Sequence, residues 1–341
     1  MTVYRNYAFP LSILSANGFV NDWILHHFIN LYLMRGEGSY IWFDFLEQND
    51  FCSDKLSYSY IDIDNIARHD IIELIKSTLI SNKYVISFLD EYYIESTINV
   101  NKEHAFEESL IYGFDDEKKV FFSLGFNDRW LFGKMQYSYD EVINAHNSLI
   151  KHKAEELPVY VKWYTFTKIE LINGVSEEDH LKEIILEITN YNNSTEQVKK
   201  LRSETITERG EKAVYGIKCY EEIVNSLYIM LDSIIQTDYR HIHLLFEHKK
   251  LMIDKLSYIS DKLKLDEKKY FDEYNLVLKK VQLAKLLYLK AIIADKDAGL
   301  YDCLKDKDII LEIIKILEEI SFTEHEILER FIIDANNNLQ Q

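Results

Sequence analysis

Two prolines, ten glycines and three cysteines are all that 341 residues contain of the residue types that punctuate or staple a chain. So little proline and glycine leaves no material for a collagen-like segment or a flexible linker, and any two domains must abut closely. Cys52, Cys219 and Cys303 stand far apart with no CxxC pair. That spacing indicates neither a disulfide framework nor a structural zinc site, and it fits a reducing cytoplasm. No apolar run reaches the roughly 18 residues of a membrane span, and the opening MTVYRNYAFPLSIL lacks the form of a secretory signal. Positive charge is short as well, with 39 basic against 57 acidic groups and a net charge of −18. An excess of that size repels a phosphate backbone, so nucleic acid is not an expected partner. The same field favours a cationic small molecule such as a polyamine, although an acidic surface also serves solubility alone.

What is present is ordinary globular material, 47% hydrophobic and 28% charged, long enough for two domains. Pro10 and the apolar residues after it place a first helix near Phe9, and Asp22 is a cap for a second carrying Trp23, Ile24, His27, Phe28 and Leu31. YIWFDF (40–45) reads as a strand, and residues 62–80 show the 3.6 period of one helix behind an Asp cap. Residues 83–94, 104–115 and 119–126 are runs of Val, Ile, Phe and Tyr that read as strands, the last two joined into a hairpin by the polar turn 115–118. A strand at 135–139, a helix from Asp140 and a strand at 157–166 complete an α+β unit over residues 1–172. From Ser176, which with Asp179 nearly matches a capping box, the period is helical. Helices are expected over 194–205, 211–236, 238–264, 267–293 and 306–336, with breaks near Gly210 and Gly299. Residues 173–341 are therefore expected to form a helical bundle, with NYNNS as a loop and DANNNLQQ as a frayed end.

The hairpin brings the head of strand 104–113 beside the tail of strand 119–126, so Asn127 or Asp128 can bind a ring nitrogen of His104 and fix its tautomer. In thiol acyl transfer the third partner is a cysteine at a helix start, where the dipole stabilises thiolate. Segments NYAFPLSILS, FLDEYYI, KEHAFEESLIYGFDDEKKVFFSLGF and YSYDE, with VYGIKCY and HIHLLFEHKK in the helical half, together resemble the butirosin-type acyltransferase group of the papain-like, bacteriocin-processing peptidase fold. Closthioamide-type polyamide synthases look like relatives in that group. The resemblance covers most of the chain, though no single segment is specific.

It implies a papain-like cysteine protease fold and an amide-forming enzyme of natural-product (antibiotic) biosynthesis. Such an enzyme takes an acyl group from an acyl or peptidyl carrier protein to an amine, in the cytoplasm and without a cofactor. Three departures stand out. Ala8 occupies the nucleophile position, in the turn before the first helix, where the family has cysteine, and alanine cannot attack a thioester. An inactivating replacement and a natural relative without covalent chemistry both account for it. Gly125 stands near where relatives carry the orienting Asp, leaving Asn127 or Asp128 for that role. No glutamine precedes Ala8, so backbone amides at the helix start are the oxyanion donors.

Other residues have both a bland and a sharper reading. Glu107 and Glu108 are solvated carboxylates or partners of the incoming amine, and Tyr92, Tyr93, Tyr58, Tyr60 and Phe88 are strand core or an aromatic substrate pocket. Cys52 is an alternative nucleophile in a polar loop, whereas Cys219 and Cys303 read as packing residues. His241, His243 and His248 lack the i, i+4 spacing of a helical zinc pair. Lys249, Lys250, Lys199, Lys200 and Arg202 are solvated helix faces or a basic patch for an acidic carrier protein. A peptidase or thioesterase, and a binding protein that kept the cleft and lost the nucleophile, remain as alternatives. In the competent reading the bundle excludes water from the cleft.

Overall fold

The runs rich in Val, Ile, Phe and Tyr form antiparallel strands, since β-branched and aromatic side chains suit a pleated, half-buried surface. A computed structural model describes residues 2, 4–18, 20–35, 41–47, 52, 54–152, 157–172, 181–197, 213–232, 238–294 and 306–339. In chain order the strands are β1 (Leu31–Arg35), β2 (Ile41–Phe45), β3 (Leu56–Ile61), β4 (Tyr84–Asp90), β5 (Phe106–Asp115), β6 (Val120–Phe126), β7 (Phe132–Ser138), β8 (Phe166–Leu171) and β9 (Ala213–Tyr215). The helices up to residue 192 are α1 (Arg5–Ala16), α2 (Val20–His26), α3 (Ile63–Ile66), α4 (Ile71–Ile80), α5 (Tyr139–Lys151), α6 (Val159–Trp163) and α7 (Leu181–Asn192). The protein is α+β with antiparallel sheets and a C-terminal helical region, divided into two units.

The first unit is Met1–Ala16 with Cys52–Ser176. Its six-stranded antiparallel sheet runs β3-β8-β4-β5-β6-β7. Val85 and Leu89 of β4 pack with Ile111, Phe121 and Phe166 among Ile71 and Ile75 of α4 and Val142 and Ala145 of α5. Phe88 joins a second cluster with Ile63, Leu149, Leu157 and Val161, and Phe106 packs against it. Asp115 accepts hydrogen bonds from the amides of Glu117 and Lys118, which closes the β5–β6 hairpin. Ser138 and Glu141 form a capping box that starts α5.

Several elements differ from the sequence reading. Residues 62–80 are two helices, because Asp62 and Asp70 each cap one: Asp70 accepts from the amides of Ile72 and Glu73 at 3.0 and 3.2 Å. Residues 157–166 are not a strand. Pro158, with φ −55°, caps α6, and the strand begins only at Phe166. Pro10 lies inside α1, which starts at Arg5, so position 8 is in the helix rather than in a turn before it. Asp22 lies within α2, Leu31 begins β1, and the DANNNLQQ end is helical through Leu339. The near match to a capping box at Ser176, the residues around Gly210 and Gly299, and most of the expected helix 194–205 fall outside the described residues.

The second unit is Asn17–Phe51 with Glu177–Gln341, so segment 17–51, read above as part of the first domain, groups with the helices. It holds a three-stranded sheet β2-β1-β9, in which Leu33 pairs with both Phe43 and Val214. Helices Cys219–Asp232, Tyr239–Leu263, Glu267–Ala294 and Lys307–Leu339 follow. Val214 and its neighbours form strand β9 where residues 211–236 read as one helix. At the centre of this unit Lys249 is fully buried, so it is not part of a basic surface patch. Its ammonium donates to Glu324 Oε1 at 2.7 Å, Tyr191 Oη at 2.8 Å and His248 Nδ1 at 2.9 Å. Glu324 also accepts from Tyr191, Tyr220 and Tyr274, and His248 Nε2 donates to the Ile29 carbonyl at 2.7 Å. Each ammonium proton therefore has an acceptor, as a charge removed from water requires. Lys199, Lys200 and Arg202 lie outside the described residues.

Candidate functional site

Asp90 ends β4 and caps a 3-10 turn, Glu91–Tyr93, its Oδ1 accepting from the Tyr92 amide at 3.2 Å. The β4–β5 register pairs Asp90 with Phe106, two residues after His104. That placement brings Asp90 Oδ2 to 2.7 Å from His104 Nδ1. A carboxylate accepts, so Nδ1 carries the proton and the neutral ring presents a bare Nε2. Ser148 of α5 donates to the same Oδ2 at 2.6 Å, which fixes the carboxylate from a third element. The Asp90 side chain is completely buried, whereas that of His104 is 43% exposed. Aromatic rings surround the imidazole. Tyr92 stacks on it with centroids 4.6 Å apart, Tyr93 lies at 6.2 Å, and His152 at 5.0 Å. His152 donates its own Nδ1–H to the Ser148 carbonyl at 2.9 Å.

The structure therefore brings together His104, Tyr92 and Tyr93 from the sequence reading and reassigns the orienting group. Asn127 does not serve His104: its Oδ1 accepts from the amides of Arg129 and Leu131 and closes its own turn. The Asp128 amide donates to the Ser96 carbonyl. As an interior strand β5 has two neighbours, and the partner of His104 comes from β4 rather than from the β6 side of the hairpin. Asp90, Ser148 and His152 were missed. The legible signal for Asp90 was an aspartate ending an apolar strand in FLDEYY, directly before a turn.

Helix α1 is tied beside this pair through Arg5, which bridges Glu91 at 3.5 Å, pairs with Glu107 and lies 5.1 Å from the centre of the Phe126 ring. Asn99 donates to Glu91 at 2.7 Å. Burial pushes the Glu91 carboxyl up to about 7, against the opposing pull of Arg5, and burial also raises Glu108. Ala8, one turn beyond Arg5, is buried at 1% exposure inside α1, with its carbonyl accepting from Ser12 Oγ at 2.7 Å. Among the described residues no cysteine, serine or threonine hydrogen-bonds to His104.

The remaining candidates lie elsewhere. Tyr60 packs edge-on against Tyr164 at 4.8 Å, and Phe88 belongs to the core. Cys52 is buried. Cys219 donates to the Val214 carbonyl, and burial pushes its thiol well up, so it does not offer a thiolate. Cys303 falls outside the described residues. His248 is held neutral by burial and by Lys249, and among the described residues no group of three metal-ligating side chains converges. No helix among them is long and apolar enough to cross a membrane. No protein-family model matches the chain, and no curated protein matches it.

Proposed function

We propose that the first unit is a papain-like domain that moves an acyl group from a carrier-protein thioester to a small amine, with His104 as the general base. The Asp90–His104 pair carries this reading. A buried carboxylate that fixes the tautomer of a partly exposed imidazole leaves Nε2 able to take a proton at the surface. The attacking amine forms the C–N bond while His104 takes its proton. Collapse of the tetrahedral centre breaks the C–S bond, and the imidazolium returns the proton to the leaving thiolate. With Ala8 at the nucleophile position the transfer is direct, without an acyl-enzyme, and the amine itself supplies the lone pair. The acidic chain, with a net charge of −18, favours an amine carrying a second positive charge, although Glu107 is itself paired with Arg5. The resemblance to butirosin-type acyltransferases supports a setting in cytoplasmic antibiotic biosynthesis.

The test is to incubate the protein with an acyl carrier thioester, with and without a diamine, and to identify products by mass. Amide formed only with the diamine supports the reading. Free acid assigns a thioesterase instead, and carrier retained without turnover assigns a binding protein.

A further inference from the structure

Helix 267–294 is apolar on two opposite sides. Tyr270, Tyr274, Val277, Val281, Ala284 and Tyr288 recur at heptad spacing and are buried against the helices on either side. Directly opposite, where an outer helix is normally polar, stand Leu276, Leu283 and Leu286. Helix 307–339 repeats the pattern: Ile313, Ile320, Ile327 and Phe331 face inward, while Leu311, Phe322 and Ile333, spaced by eleven residues, face solvent. These six outward side chains are between 46% and 65% exposed. A seam of surface ion pairs, Lys269 with Asp334, Glu273 with Arg330 and Lys280 with Glu319, joins the two helices between the apolar rows.

The charges on the two outward faces are opposite. Around the leucines of helix 267–294 lie Lys268, Lys279 and Lys290, which make no ion pair among the described residues, with Asp272 as the one acid on that stripe. Around Phe322 lie Asp308, Glu312, Glu326 and Glu329, with Lys315 and the ion-paired Arg330 as the bases. A stable homodimer needs on the order of 1,200–2,000 Å² of total buried surface. Two helices about 40 Å long and roughly 10 Å apart present about 800 Å² per partner, which reaches that range.

We propose that this helix pair docks on the same pair of a second copy, forming a four-helix interface with helix 267–294 of each protomer over helix 307–339 of its partner. A two-fold axis parallel to the helices produces this arrangement and sets the basic stripe on the acidic one. The other two-fold arrangement lays helix 267–294 on itself, lysine against lysine, and is disfavoured by its own charge. The proposal is independent of the acyl-transfer reading.

Sedimentation velocity of the full chain from 1 to 100 µM tests it. The expected result is a dimer that weakens as salt is raised. Leu283→Glu and Phe322→Glu should each raise the dissociation constant at least tenfold while leaving the far-ultraviolet circular dichroism spectrum unchanged, as both sites are exposed. Lys279→Glu and Glu326→Lys should each weaken the dimer, and the double variant should recover at least part of the loss. A monomer at 100 µM overturns the proposal and leaves the face to a different protein. So does a dimer indifferent to Leu283→Glu and Phe322→Glu.

Discussion

Asp90 Oδ2 lies 2.7 Å from His104 Nδ1, and only the histidine of the two reaches solvent. The relationship fixes a tautomer, and it has a spectroscopic consequence. Nitrogen-15 spectra of the neutral His104 ring should show Nδ1 protonated and Nε2 bare. Asp90→Asn should mix the tautomers and lower the proposed acyl-transfer activity by roughly 10²- to 10⁴-fold. Spectra unchanged by that substitution would remove Asp90 from the orienting role.

Glu324 is the common acceptor of one buried ammonium and three tyrosine hydroxyls. Glu324→Ala leaves Lys249 charged without a counter-ion, and it should cost about 3–5 kcal/mol in urea unfolding. The double variant Lys249→Met, Glu324→Leu should cost clearly less than the two single losses added, because it removes both charges and leaves neither stranded.

Lys255 is fully buried, and among the described residues its ammonium makes one long hydrogen bond, to the Leu251 carbonyl at 3.4 Å. Burial lowers its ammonium to about 7, against the raising influence of Glu47 and Asp254. The unfolded chain holds this proton up to about pH 10.5, so between pH 7 and 10.5 it binds more protons than the folded one and stability rises with pH. Below pH 7 both states are protonated and the penalty is constant. Lys255→Met should therefore be more stable than the parent, by an amount that shrinks by about 2–3 kcal/mol from pH 7 to pH 9.

His146 has the opposite window. Neither ring nitrogen meets a hydrogen-bond partner among the described residues, and burial lowers its imidazole to about 4. Its unfolded counterpart gains a proton near pH 6.5, so stability is complete above that value and falls as the pH drops from 6.5 toward 4. His146→Leu should keep roughly 2 kcal/mol that the parent loses between pH 7 and pH 5, read by denaturation at both values.

Legibility in the sequence followed the range of the interaction. The β5–β6 hairpin was readable because its turn residues, Asp115 to Lys118, adjoin its strands, and the long helices were readable from period alone. The short strands β1, β3, β8 and β9 were missed, as their pairing partners lie far along the chain: β3 needs β8 and β9 needs β1. His104 and its neighbours Tyr92 and Tyr93 were found. Its carboxylate partner was not, because a hairpin shows only one of the two edges of β5. Lys249 read as surface because a lysine beside another lysine on a helix gives no sign that Glu324, 75 residues away, will neutralise it.

The proposed direct aminolysis requires His104 to act as base for an amine that attacks a thioester. The most direct measurement is the single-turnover rate of amide formation from an acyl carrier thioester and a diamine, comparing the parent chain with His104→Ala and recording intact protein mass. A fall of at least about 100-fold, with no acyl adduct on the parent at any time, is the predicted result. A rate within twofold of the parent, or an acyl adduct that precedes the amide, would contradict it.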